Sequence, residues 1–112
     1  IHQQYVNGLD NTLGVEIAKV PNYADNNHWM ISIQINKEIK GSDLVSVMTY
    51  LAEEGIETRP VWHPNHLQKP YSNCQTYKIK RAEELTNNSL CLPSSSNLRE
   101  DEIHKVVDLL NV

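Results

Sequence analysis

The sequence predicts an α/β (α+β) domain: a small, mostly antiparallel or mixed sheet of three or four strands with helices packed on one face. Three observations carry this. Residues 28–35 alternate, with Trp29, Ile31, Ile33 and Ile35 on one side and His28, Met30, Ser32 and Gln34 on the other, the two-residue period of a strand with one buried face. Leu44, Met48 and Leu51 recur at helical spacing, as do Ile103, Val106, Val107 and Leu110, the stripes of helices that cover a core. The strand-like runs are few and short, and helices separate them.

Taken in order, residues 1–9 read as helix, because Ile1, Tyr5 and Leu9 stand four apart. No Ser, Thr, Asp or Asn precedes them as a cap. The chain is therefore expected to be a piece of a longer protein, with residues 1–12 the end of a connecting helix and residues 13–112 a single small domain. Residues 14–19, with Val15 and Ile17, predict a short strand, and the Asn-, Asp- and Pro-rich residues 21–27 a loop. Ser42 reads as the cap of a helix with Asp43 in its first turn, and Val45 and Ala52 flank its apolar stripe. Gly55 closes that helix. A strand is expected over 56–61 and an irregular, proline-bearing segment over 62–72. Residues 78–87 predict a short helix with Ile79, Ala82 and Leu85 inward, residues 89–92 a buried strand stopped by Pro93, and residues 100–110 the last helix.

With 112 residues the chain bounds one modest core. Apolar residues make up 39% and charged residues 21%, an ordinary globular composition, and the net charge is −4. An acidic balance without a basic stripe points away from nucleic acid. No apolar run reaches the length of a membrane span. Cys74 and Cys91 are too few for a disulfide framework, so a reducing, cytoplasmic setting is expected.

The chemistry concentrates in residues 58–71, TRPVWHPNHLQKPY. Stiff loops on a rigid scaffold are where binding groups sit. Arg59 can clamp a carboxylate or phosphate through its planar fork, or form a surface ion pair. Trp62 and Tyr71 can stack on a nucleobase or sugar ring, or fill the core. His63 and His66 form an H-x-x-H pair with Cys74 and Cys91 downstream, but the spacing matches no standard zinc site and Pro64 breaks a helical pairing, so no metal is expected. His28 and His104 read as structural and surface residues. There is no Gly-rich phosphate loop, no G-x-S-x-G and no H-E-x-x-H, and no complete catalytic constellation.

Three segments in fixed order carry a resemblance. They are Asn27-His28-Trp29; Leu51 to Pro60 running on into Trp62 to Tyr71; and Ala82 to Leu85, followed by Leu90-Cys91-Leu92-Pro93-Ser94, Asn97-Leu98 and Glu102-Ile103. Together they resemble the C-terminal domain of the DegT/StrS-type sugar aminotransferases. The middle segment is most similar to enzymes acting on UDP-linked 4-keto-6-deoxy sugars, in the bacillosamine and legionaminic acid style. The resemblance implies a fold-type I aminotransferase that uses pyridoxal phosphate and is usually a homodimer. It implies transfer of an amino group, with glutamate as donor, to a nucleotide-linked keto-sugar. The Schiff-base lysine and the aspartate facing the pyridinium nitrogen belong to a large domain, and none of the seven lysines here sits in a matching context. This chain is expected to bind no cofactor by itself and to hold no catalytic residue. Carried over by position, Trp62, His63, His66 and Tyr71 are the implied substrate contacts and Arg59 the implied anion contact. Arg99 departs from the family, which often has Thr or Ser capping the last helix, and Asn97 is the other candidate cap. A small-molecule regulatory module and a structural dimerisation domain are the rival readings.

Overall fold

The computed structural model describes residues 1–112. Its elements in order are α1 (His2–Leu9), β1 (Val15–Ile17), β2 (Ile31–Ile35), α2 (Lys37–Lys40), α3 (Leu44–Glu53), β3 (Arg59–Pro60), α4 (Lys80–Asn88), β4 (Ser89–Leu92) and α5 (Glu100–Leu110), with 3-10 turns at Asn65–Leu67 and Lys69–Tyr71. The four strands form one antiparallel sheet in the order β1-β2-β4-β3. The expected sheet of three or four strands is thus found, with every pairing antiparallel.

Register explains the core. Ile31 lies opposite Leu92, Ile33 opposite Leu90, and Val15 opposite Ile35, so the apolar side chains of three strands share one face. Tyr5 and Leu9 of α1, Val47 and Leu51 of α3, and Ile103, Val106, Val107 and Leu110 of α5 complete one buried cluster with them. α1 is thus part of this core. Gly8 lets it lie close to α5, since a Cβ there would stand 2.8 Å from the γ-carbons of Val107. Tyr5 is fully buried and donates its hydroxyl to the Pro93 carbonyl at 3.1 Å.

Two lysines tie helix ends. Lys40 Nζ donates to the carbonyls of Leu110 (2.6 Å), the last residue of α5, and of Val112 (2.7 Å) just after it. Lys105 Nζ donates to the Glu54 carbonyl at the end of α3 (2.7 Å). Both cations sit where a helix leaves orphan carbonyls and the negative end of its dipole. Burial lowers the Lys40 ammonium pKa.

Several boundaries differ from expectation. The central strand begins at Ile31, not His28. Asn26 and Asn27 accept the backbone N–H groups of His28 (2.8 Å) and Trp29 (3.0 Å) through their side-chain oxygens, and His28 sits at φ +53°. These Asx turns break the extended run and swing Trp29 out of the core to 69% exposure. The strand over 56–61 shrinks to Arg59–Pro60, because a proline cannot donate to a ladder and is confined to an edge. Asp43, not Ser42, caps α3, accepting from the Ser46 N–H at 2.9 Å. Val47 and Leu51 are that helix's buried residues, with Leu44 and Met48 half-buried and Val45 and Ala52 exposed. Ala82 of α4 is exposed, and no residue of that helix is fully buried. Arg99 occupies the cap position of α5, where the Glu102 carboxylate accepts the Arg99 backbone N–H at 2.9 Å. No helix is long and apolar enough to cross a membrane.

Candidate functional site

The segment from Arg59 to Tyr71 leaves β3 at the sheet edge and crosses the surface in two 3-10 turns without burying a residue fully. It is held by its own side chains. Gln68 Nε2 donates to the His63 carbonyl (3.0 Å) and to Asn65 Oδ1 (3.3 Å), and the Ser72 hydroxyl donates to the Lys69 carbonyl (3.1 Å). Beyond β3, a side-chain bond ties the segment to the body. His66 Nε2 lies 2.8 Å from Glu83 Oε1 of α4, and its side chain is only 16% exposed.

The predicted residues fall into two groups. Arg59 lines an open cleft of about 690 Å³, together with Trp29, Ile56, Cys91, Ser94 and Lys105. Its Nε and Nη2 both donate to Glu57 Oε1, at 3.2 and 3.0 Å, in a pair exposed on both sides. Such an exposed pair contributes little to stability. Burial pushes the Cys91 thiol pKa up, which leaves it a packing group on the cleft floor. Trp62 is 67% exposed, so it is not core filling. Trp62, His63, His66 and Tyr71 do not line this cleft. His63 and Tyr71 are exposed on the segment, whereas His66 is committed to Glu83.

The pattern reading missed the residue that meets Trp62. Trp29, expected inward, stands with its ring centroid 6.4 Å from that of Trp62 at an interplanar angle of 43°. The visible signal was the Asn26-Asn27 doublet ahead of it. A second pair also went unread: His2 and His28 stack at 3.7 Å beside a separate cleft of about 660 Å³. Burial, and then the neighbouring His28, hold the His2 imidazole pKa below its usual value. His63, His66, Cys74 and Cys91 do not converge, and no three His, Cys, Asp or Glu residues are placed to share a metal ion.

Comparison with known proteins places this arrangement. The model of the DegT/DnrJ/EryC1/StrS aminotransferase family matches residues 1–111. The chain belongs to the DegT/DnrJ/EryC1/StrS aminotransferase family. It is 34% identical, over 98% of its length, to EpsN of Bacillus subtilis (strain 168), which carries the name of a pyridoxal phosphate-dependent aminotransferase. It is 32% identical over 74% of its length to the GDP-perosamine synthase of Caulobacter vibrioides. Among solved structures, that of DesI in the presence of its TDP-sugar product superposes with a TM-score of 0.88, at 30% identity over 98% of the chain. The chain spans 29% of EpsN, 22% of that synthase and 28% of DesI, less than a third of each. Family membership raises the question of pyridoxal phosphate. The cleft's lysine, Lys105, is spent on the Glu54 carbonyl, and Lys40 on two others. Neither of these two amines is free to form a Schiff base.

Proposed function

We propose that these residues are the C-terminal small domain of a pyridoxal phosphate-dependent aminotransferase that passes an amino group, with glutamate as donor, to a nucleotide-linked keto-sugar. The longer protein is read as a cytoplasmic homodimer. The observation that carries this is the family match along the whole chain, joined to a fold that superposes on DesI at 0.88. Pyridoxal phosphate supplies the electron sink for amino transfer. Its lysine and its pyridinium partner are assigned to the part of the protein outside these 112 residues.

The domain's share is binding and orientation. Arg59 offers a fork for the diphosphate or a carboxylate, exchanging its exposed Glu57 partner for the substrate anion. Tyr71, Trp62 and His63 present stacking and hydrogen-bonding groups on the self-braced segment. His66 holds that segment to α4 through Glu83 and leaves its second ring nitrogen for the sugar.

The test is kinetic and uses the full-length enzyme. Losing one stacking contact costs about 1–3 kcal/mol, and about 1.4 kcal/mol is tenfold. Tyr71→Ala is expected to lower kcat/KM for the sugar by about ten- to a hundredfold while the donor half-reaction barely changes. Equal falls in both half-reactions, or a large drop in melting temperature, would mean that the segment is structural. Glu83→Gln separates the two roles of His66. If it reproduces the full loss of His66→Ala, the histidine acts only as a tie.

A further inference from the structure

The chain has two tryptophans, and the fold sets them side by side on the surface of these 112 residues. They arrive from separate segments, Trp29 just before β2 and Trp62 just after β3, with β4 lying between those strands in the sheet. Its alternation with Ile31, Ile33 and Ile35 would have placed Trp29 in the core.

What prevents this is built into the backbone. His28 is held at φ +53°, a conformation that costs a non-glycine residue free energy and persists only where neighbours over-determine it. The neighbours are identifiable. Asn26 and Asn27 accept the N–H groups of His28 and Trp29, and the Ser94 hydroxyl donates to the Trp29 carbonyl at 2.7 Å. The Trp29 backbone is therefore bonded on both sides while its ring stands free. Trp29 also lines the cleft that holds Arg59, so one concave surface offers an aromatic wall and a guanidinium. A planar ring joined to a diphosphate matches that pair of features.

We propose that Trp29 is a substrate-binding residue and forms with Trp62 a two-indole platform on which the base of the nucleotide-linked sugar stacks. This rests on the functional reading above. It adds a residue that the periodicity assigned to the core and gives Trp62 a partner.

The experiment measures binding of UDP, dTDP and GDP to the full-length, cofactor-loaded enzyme by calorimetry, for wild type, Trp29→Ala and Trp29→Phe. A stacked base contributes about 1–3 kcal/mol, so Trp29→Ala is expected to raise Kd for the preferred nucleotide by roughly fivefold to a hundredfold. Trp29→Phe keeps an aromatic face and is expected to recover most of that affinity. The donor half-reaction, which needs no base, is expected to stay at the wild-type rate in both variants. Wild-type nucleotide affinity in Trp29→Ala overturns the platform and leaves the functional reading standing. So does a donor half-reaction that falls along with nucleotide affinity. A wild-type enzyme that binds none of the three nucleotides removes the functional reading, and the platform with it.

Discussion

The sheet with α1 and α5 and the segment from Val61 to Lys78 are built on opposite plans. The first buries Ile33, Leu90, Ile103 and Leu110 almost completely and owes its shape to apolar area removed from water. The second has no fully buried residue and is kept in place by Gln68, Ser72 and the His66–Glu83 contact. In the first, side-chain type dictates position. In the second, a handful of polar bonds fixes groups that remain available to a ligand, which is the division of labour expected between scaffold and site.

Mutations sharpen this contrast. The largest effect is expected in the core. Leu51 is fully buried, and Leu51→Ala should destabilise the chain by about 2–5 kcal/mol in urea unfolding, through lost transfer energy and a cavity. An effect under about 1 kcal/mol would mean that α3 is not an integral part of the core.

An intermediate effect is expected at alkaline pH. Burial pushes the Tyr5 hydroxyl from 10.0 up to about 12. A raised folded-state pKa means that the folded chain keeps its proton after the unfolded chain has lost it. The stabilisation is therefore complete below about pH 10 and is lost as pH rises toward 12. At about 1.4 kcal/mol for each pH unit, the loss across that window is on the order of 2 kcal/mol. Tyr5→Phe should flatten this part of the pH–stability curve. A curve unchanged by the substitution would show that another group titrates there.

The smallest effect belongs to the exposed segment. Glu57→Gln removes the partner of Arg59, and because both side chains are largely exposed the melting temperature should barely move. A loss comparable to that of Leu51→Ala would show that the Arg59 pair belongs to the scaffold and not to the site.

The same contrast explains what was legible in the sequence. The runs Ser89–Leu92 and Glu100–Leu110 were read at their true limits, because a buried strand stopped by Pro93 and an amphipathic stripe ending in Leu110 are fixed by burial alone. Trp29 was misread because its alternation with Ile31 is genuine as a pattern, while two asparagine side chains rotate the backbone just before it. The extent of β3 was overstated because Val61 and Ile56 look like strand residues, whereas Pro60 limits the ladder to two residues. Arg59, Trp62, His63, His66 and Tyr71 were read as one group. Folding divides them, because His66 finds Glu83 on α4, seventeen residues away, a pairing no local spacing announces.

The brevity of the two outer strands has its own consequence. β1 offers three residues of free edge, including the charged Glu16, and β3 only two, one of them a proline. An edge templates a neighbour through a row of unpaired N–H and C=O groups, and here the row stops almost where it starts. Two copies of this domain brought edge to edge have at most three residues of backbone to share. Such an edge is a poor template for growth into a fibre.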